Sequence, residues 1–218
     1  NADNSTGPLL MPTSGAGSTK VNVAADLSGG GLLAWRDGST IKAQHVTAAS
    51  ALDPVETPVA DSSANAGLTT DHVNGFRAIY RTGSAPSALQ YRPLTPNGAG
   101  GTEQTLFPAV TDFVAGFDQA TNHAARTLVT WTTTSAASPK PRVSVRFIGA
   151  DGLPDGNTIT TPDDGVSRSS SGVAIGSDYG SLIWAEEPDP TESTLFGRIL
   201  PEGAQPGAPV SLSDPAFT

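Results

Sequence analysis

LLAWRDG at residues 32–38, FRAIYRTG at 76–83, TLVTWTTT at 127–134 and SLIWAEE at 181–187 are four versions of one short segment. In each, a run of apolar residues ends on a single large aromatic, Trp35, Tyr80, Trp131 or Trp184, and polar residues follow. The aromatics are 45, 51 and 53 residues apart, and a Gly- or Asn-rich stretch (SGGG, HVNG, ATNHA, DYG) precedes each run. Self-similarity at a period of about 50 residues marks a repeat architecture in which one supersecondary unit recurs. The segment is therefore one β-strand in four copies.

The flanks repeat as well. Downstream lie IKAQHV, LQYRPL, VSVRFI and LFGRIL, which alternate with a period of two as half-buried strands do. They carry Gln44, Arg92, Arg146 and Arg198 at one equivalent place. Next comes a turn, clearest as ADGLPDG and PEGAQPG, and then a polar β-prone stretch: VETPVA, TEQTLFPAV, NTITTPDD and APVSLSD. Upstream lie VNVAAD, AGLTTD, FVAGFD and GVAIGSD, ending in Asp26, Asp71, Asp118 and Asp178. Four strands per unit and four units predict an all-β chain: a small β-propeller of four four-stranded antiparallel blades, with a pair of β-sandwiches or part of a larger propeller as alternatives. The expected repeats are about 20–63, 64–111, 112–164 and 165–218 of a single domain.

On these segments the chain resembles bacterial secreted propeller repeat proteins and is similar in size to four-bladed hemopexin-type propellers, without the hemopexin blade motif. The resemblance implies a fold and no activity. One strand is left over. Residues 8–14, PLLMPTS, read like the last strand of a blade, yet APVSLSD already supplies the fourth repeat with one. Residues 1–19 are thus expected to close the ring, or to be exchanged with a neighbouring subunit.

Composition narrows the function. A net charge of −9 with only 12 Lys and Arg disfavours nucleic acid and anionic membranes, both of which need a clustered positive face. No apolar run approaches the roughly 18 residues of a spanning helix. Val, Leu, Ile and Phe make up about a fifth of the chain, a small apolar complement that suits short strands between the 24 Gly and 18 Pro. The absence of Cys removes thiol chemistry and Cys-ligated metals. A first residue other than Met suggests a removed signal peptide, so the expected location is secreted or at the cell surface.

Candidate chemistry is sparse, and no catalytic residue, metal site or cofactor is expected. Trp35, Tyr80, Trp131 and Trp184 could stack on sugar rings, one per blade, but an aromatic in every repeat is most simply packing between blades. Arg92, Arg146 and Arg198 are the other candidate ligand contacts, with hydrogen bonding between or within blades as the simpler role. The four Asp residues suit turn caps. SDYGSLIW around Asp178 only partly matches the sialidase-type Asp box, and ADGLPDGN lacks a calcium loop's ligands, with Leu153 and Pro162 at two of the places. GSDYG puts Ser177 one residue early for a nucleophile elbow, and GAGSTK lacks the first Gly of a phosphate loop. His45, His72 and His123 fall in separate repeats without ligand spacing. Glu186, Glu187, Asp189 and Glu192 could furnish paired carboxylates, though interleaved prolines suit a solvated hairpin. Asn4-Ser5-Thr6 is a glycosylation sequon.

The leading expectation is an extracellular, non-enzymatic binding or adhesion module, carbohydrate-directed, with a glycan or protein ligand. A structural subunit that self-associates by strand exchange, and a glycoside hydrolase, are the alternatives.

Overall fold

A computed structural model describes residues 19–61, 66–72, 75–82, 87–108, 113–134, 140–189, 191–201 and 206–212. The leftover strand at 8–14, the sequon and most of GAGSTK lie outside them. Sixteen strands follow in chain order: β1 (Thr19–Ala25), β2 (Gly31–Asp37), β3 (Thr40–Val46), β4 (Thr57–Asp61), β5 (Ala66–Thr70), β6 (Phe76–Thr82), β7 (Ala88–Leu94), β8 (Gln104–Phe107), β9 (Phe113–Thr121), β10 (Thr127–Thr134), β11 (Arg142–Ile148), β12 (Pro154–Thr160), β13 (Ser167–Ile175), β14 (Tyr179–Asp189), β15 (Glu192–Pro201) and β16 (Val210–Ser211). They form four antiparallel sheets, each a meander of four consecutive strands, β1 to β4, β5 to β8, β9 to β12 and β13 to β16, which we call blades 1 to 4.

The strands that pack on one another from blade to blade are the first of each sheet: β1 on β5, β5 on β9 and β9 on β13. The repeated aromatic therefore stands on the second strand, at β2, β6, β10 and β14, and the segment upstream of it is the inner one. Period-two alternation gives each blade two apolar faces. In blade 2, Phe76, Ala78 and Tyr80 point to blade 1, where they meet Leu32, Ile41, Ala43 and Val59. On the opposite face Ile79, Leu89 and Tyr91 meet Val129, Trp131 and Ile148 of blade 3. Leu128, Val143 and Val145 then meet Leu182, Trp184 and Leu200 of blade 4. Three such interfaces hold nearly the whole core, and in each the aromatic of a blade packs onto the blade before it.

Polar threads cross the same interfaces. Arg77, almost fully buried, donates from Nη1 to Thr127 Oγ1 at 2.8 Å and from Nη2 to the Ala150 carbonyl at 3.3 Å. Asn122 Nδ2 donates to the Gly176 carbonyl at 2.7 Å. Close approach matters at Gly180, where an added Cβ would lie 2.5 Å from Leu128 Cδ2 across the gap between blades 3 and 4.

Trp131, fully buried between blades 2 and 3, contributes by packing. Trp131→Ala is expected to lower unfolding stability by about 3–5 kcal/mol in a denaturant titration, the usual cost of emptying such a site.

Candidate functional site

The strand directions bring two kinds of turn to one end of the propeller: those joining first to second strands and those joining third to fourth. Both are built by side-chain and backbone hydrogen bonds that recur. In blade 1, Asp26 Oδ1 accepts from the backbone N–H of Ser28 at 2.8 Å, from that of Gly30 at 2.9 Å and from the Ser28 hydroxyl at 2.7 Å. In blade 2, Asp71 Oδ1 accepts from Gly75 N–H at 2.9 Å. In blade 3 the same place is taken by Asn122, whose Oδ1 accepts from the N–H groups of Ala124 and Arg126. These are side-chain-capped turns of the kind Asp and Asn favour.

Two expectations are corrected here. Asp118 does not cap the turn of blade 3: it lies within β9 opposite Thr130, and its Oδ2 accepts from Val173 N–H of blade 4 at 3.2 Å. The inner strand of blade 3 is longer than its counterpart in blade 2, nine residues against five, so counting by segment ends stopped short of Asn122. Asp178 sits inside a turn closed by Gly176 N–H on the Tyr179 carbonyl and accepts from the Ser177 hydroxyl.

The same rim gathers all three histidines, from three successive blades. His72 and His123 are tilted against each other with ring centroids 4.8 Å apart. His72 adopts a left-handed backbone, φ 57°, uncommon for a residue with a side chain. His45, near the end of β3, has Nδ1 2.8 Å from Asp53 Oδ2 and Nε2 3.9 Å from Asp26 Oδ2. A cleft of about 510 Å³ opens between blades 1 and 2, lined by Asp26, Leu27, Ser28, His45, Thr70, Asp71, His72, Gly75, Phe76 and Pro96. It combines carboxylate and imidazole walls with an apolar floor. Sequence spacing missed it because its residues are up to 70 positions apart and meet only through blade packing.

A second, smaller cavity of about 120 Å³ lies between blades 3 and 4, near the opposite end. Arg168, almost fully buried, spans it: Nε donates to Glu186 Oε1 at 2.7 Å, while Nη1 and Nη2 donate to Asp164 Oδ1 and Oδ2 at 2.8 and 2.9 Å. Glu186 Oε1 also accepts from Trp184 Nε1 at 3.0 Å. The bidentate guanidinium contact holds the Asp164 carboxyl far below the usual carboxylate range, with the Val166 N–H assisting. Glu186 is thus committed to orienting an arginine and a tryptophan. Of its neighbours, Glu187 accepts from the Ser169 hydroxyl and Asp189 caps Thr191.

The candidate ligand contacts sit elsewhere. Trp35, Tyr80, Trp131 and Trp184 are 0–1% exposed, so a sugar would reach none of these rings without parting the structure around it. Tyr80 donates its hydroxyl to Glu103 Oε2, and burial is the main cause that pushes its ionisation well above the ordinary tyrosine range. Arg92, Arg146 and Arg198 donate to the carbonyls of Gly101, Gly156 and Gly207, tying third strands to the segments that follow; Arg92 also donates to the Val59 carbonyl of blade 1. Asp151 caps its own turn through Leu153 N–H, and Asp155 pairs with Arg126 at 3.1 Å. Among the described residues no group of three or more His, Cys, Asp or Glu could hold a metal ion.

No family model matches this chain, and no curated protein matches it. Solved structures do. A subtype N10 neuraminidase-like protein of A/little yellow-shouldered bat/Guatemala/060/2010 superposes with a TM-score of 0.56 at 6% identity, covering 87% of this chain and 58% of that one. Polysaccharide lyase Uly1 superposes with a TM-score of 0.54 at 12% identity, covering 88% of this chain and 48% of that one. The fold is a β-propeller. The chain spans only about half the length of these structures, and at such identities the likeness concerns the fold alone.

Removing Arg168 leaves the Glu186 carboxylate, still accepting from the Trp184 N–H, beside a small cavity without its cation. Arg168→Ala is expected to cost about 3 kcal/mol in denaturant unfolding. Asp26 gives a pH signature: the Ser28 hydroxyl is the largest cause, and with the Gly30 and Ser28 N–H groups and His45 it holds the carboxyl below the ordinary range against burial, the second-largest effect, which opposes it. A folded-state pKa depressed in this way contributes stability above the unfolded-state pKa, and the contribution fades as pH falls through the folded one. The stability gap between wild type and Asp26→Asn should therefore be widest near neutral pH and should shrink on acidification, as thermal melts across pH 2–7 would show.

Proposed function

We propose that the chain is a non-enzymatic binding module, and that the cleft between blades 1 and 2 receives a neutral carbohydrate. The observation that carries this reading is the cleft itself. It is open and preformed, its carboxylates and imidazoles can take up hydroxyl hydrogen bonds, and the exposed Leu27 and Pro96 offer apolar surface for the C–H face of a sugar ring. The acidic balance favours an uncharged ligand over an acidic polysaccharide, which Asp26 and Asp71 would repel. Loops gathered on one end of a rigid scaffold are a common way to build a recognition surface.

Binding is favoured over hydrolysis because the carboxylates are occupied. Asp26 Oδ1 serves its own turn three times over, and Asp53 is bound to His45. The carboxylates at 186–189 are engaged with Arg168, Ser169 and Thr191. The propeller likeness to a neuraminidase-like protein and a polysaccharide lyase is compatible with a carbohydrate ligand.

The test is a glycan array followed by calorimetry on the best neutral binder. His45→Ala and His72→Gly, the latter relieving the left-handed backbone, should each weaken binding about tenfold, or about 1.4 kcal/mol, while Arg146→Ala should leave it unchanged. Binding that survives both histidine changes would place the ligand elsewhere, and cleavage of the bound glycan on prolonged incubation would overturn the non-enzymatic reading.

A further inference from the structure

His45 stands between two carboxylates, one facing each of its ring nitrogens. Asp53 Oδ2 lies 2.8 Å from Nδ1, and Asp26 Oδ2 lies 3.9 Å from Nε2. Asp53 is tied down on both sides of its peptide: its backbone N–H donates to the His45 carbonyl at 2.9 Å, and its carbonyl accepts from Gln44 Nε2 at 2.6 Å. An ionised carboxylate only accepts hydrogen bonds. Nδ1 therefore carries the proton of the neutral ring, and Nε2 is left as an acceptor.

On the other side, Asp26 Oδ1 is taken up by its own turn, and Oδ2 is too far from Nε2 for a hydrogen bond. Two acceptors thus face each other across a gap of 3.9 Å in the wall of the cleft. Gly30 keeps the gap clear, since a Cβ there would lie 3.1 Å from Asp26 Oδ2 and 3.4 Å from His45 Nε2. Such a gap calls for a donor, and a sugar hydroxyl is one. Protonated at Nε2, the ring would supply that donor itself. Other titratable groups surround the cleft: the turn between β5 and β6 carries Asp71 and His72, His123 lies against His72, and Arg77 feels the charges of Asp71 and Asp151. Charge on those side chains alters the field of the cleft, whereas a proton on His45 fills the gap.

Resting on the carbohydrate reading of this cleft, we propose that it releases its neutral ligand on mild acidification, when a proton on His45 Nε2 takes the place of the sugar hydroxyl at Asp26. Imidazole is the side chain whose charge ordinarily changes between about pH 8 and 5. Asp26 stays ionised over that range, because the Ser28 hydroxyl, with the Gly30 and Ser28 N–H groups and His45, holds its carboxyl below the ordinary range against burial. The proton comes from solvent, and the displaced hydroxyl returns to it. Proton and carbohydrate compete for one place, so by linkage each weakens the binding of the other.

The test is an array of neutral glycans probed with the intact chain at about pH 7.5 and about pH 5, together with nitrogen NMR of the histidine rings in the ligand-free protein. Wild-type binding should fall about tenfold at the lower pH. The fall should vanish in His45→Gln, which binds more weakly but evenly at both, because its amide can accept a hydroxyl and takes up no proton in this range. The His45 ring, assigned through its own backbone, should carry its proton on Nδ1 at the higher pH and protons on both nitrogens at the lower. That spectrum is read on the wild type and does not depend on the variant folding. Equal wild-type binding at the two pH values, a fall that persists in His45→Gln with an unchanged melting curve, or a ring already protonated at Nε2 at the higher pH would each overturn the proposal and leave the carbohydrate reading standing. No neutral glycan bound at either pH would overturn that reading, and the acid release with it.

Discussion

The structure depends on one contact made three times: the large aromatic of a second strand inserted against the sheet before it. A four-stranded antiparallel sheet with apolar side chains on both faces cannot bury them alone, and one ring supplies more contact area than any other side chain available. Tyr80, Trp131 and Trp184 each occupy this place. In each interface the second-strand aromatic comes from the later blade and meets mostly aliphatic side chains of the earlier one, with Tyr91, Phe107 and Phe147 as the aromatic exceptions.

This stacking explains how a chain with a small apolar complement folds. Its apolar residues are concentrated on β2, β3, β6, β7, β10, β11 and β14, while the outermost strands β4, β8 and β16 are short. Polar side chains finish what packing begins: Arg77, Asn122 and Asp118 each bond across to the next blade. Such bonds contribute modestly in net terms, but leaving a buried donor unmatched costs more, so they fix how one blade sits on another as much as how strongly.

The rim of capped turns is a by-product of the same repetition. Once four meanders run in register, their first turns emerge on one end, with whatever side chains they carry. Asp26, Asp71 and Asn122 shape the loops through their own backbones, and the residues between the caps, Ser28, His72 and His123, are thereby presented outward or against the next blade. A binding surface can then differ in detail from blade to blade while the caps stay the same.

The sequence by itself determined the element type, the number of strands and blades, and the role of the aromatics as packing residues, because these follow from local alternation, turn chemistry and a period visible without knowing what lies opposite. It also showed Asp26 and Asp71 as turn formers. It misplaced the third cap, since the length of β9 is set by pairing with β10 and leaves no mark in spacing. The gathering of His45, His72 and His123 on one rim and the pairing of Arg168 with Asp164 and Glu186 were decided only by the tertiary structure. They depend on which blade packs on which and at what register, and residues tens of positions apart become neighbours only when those faces meet.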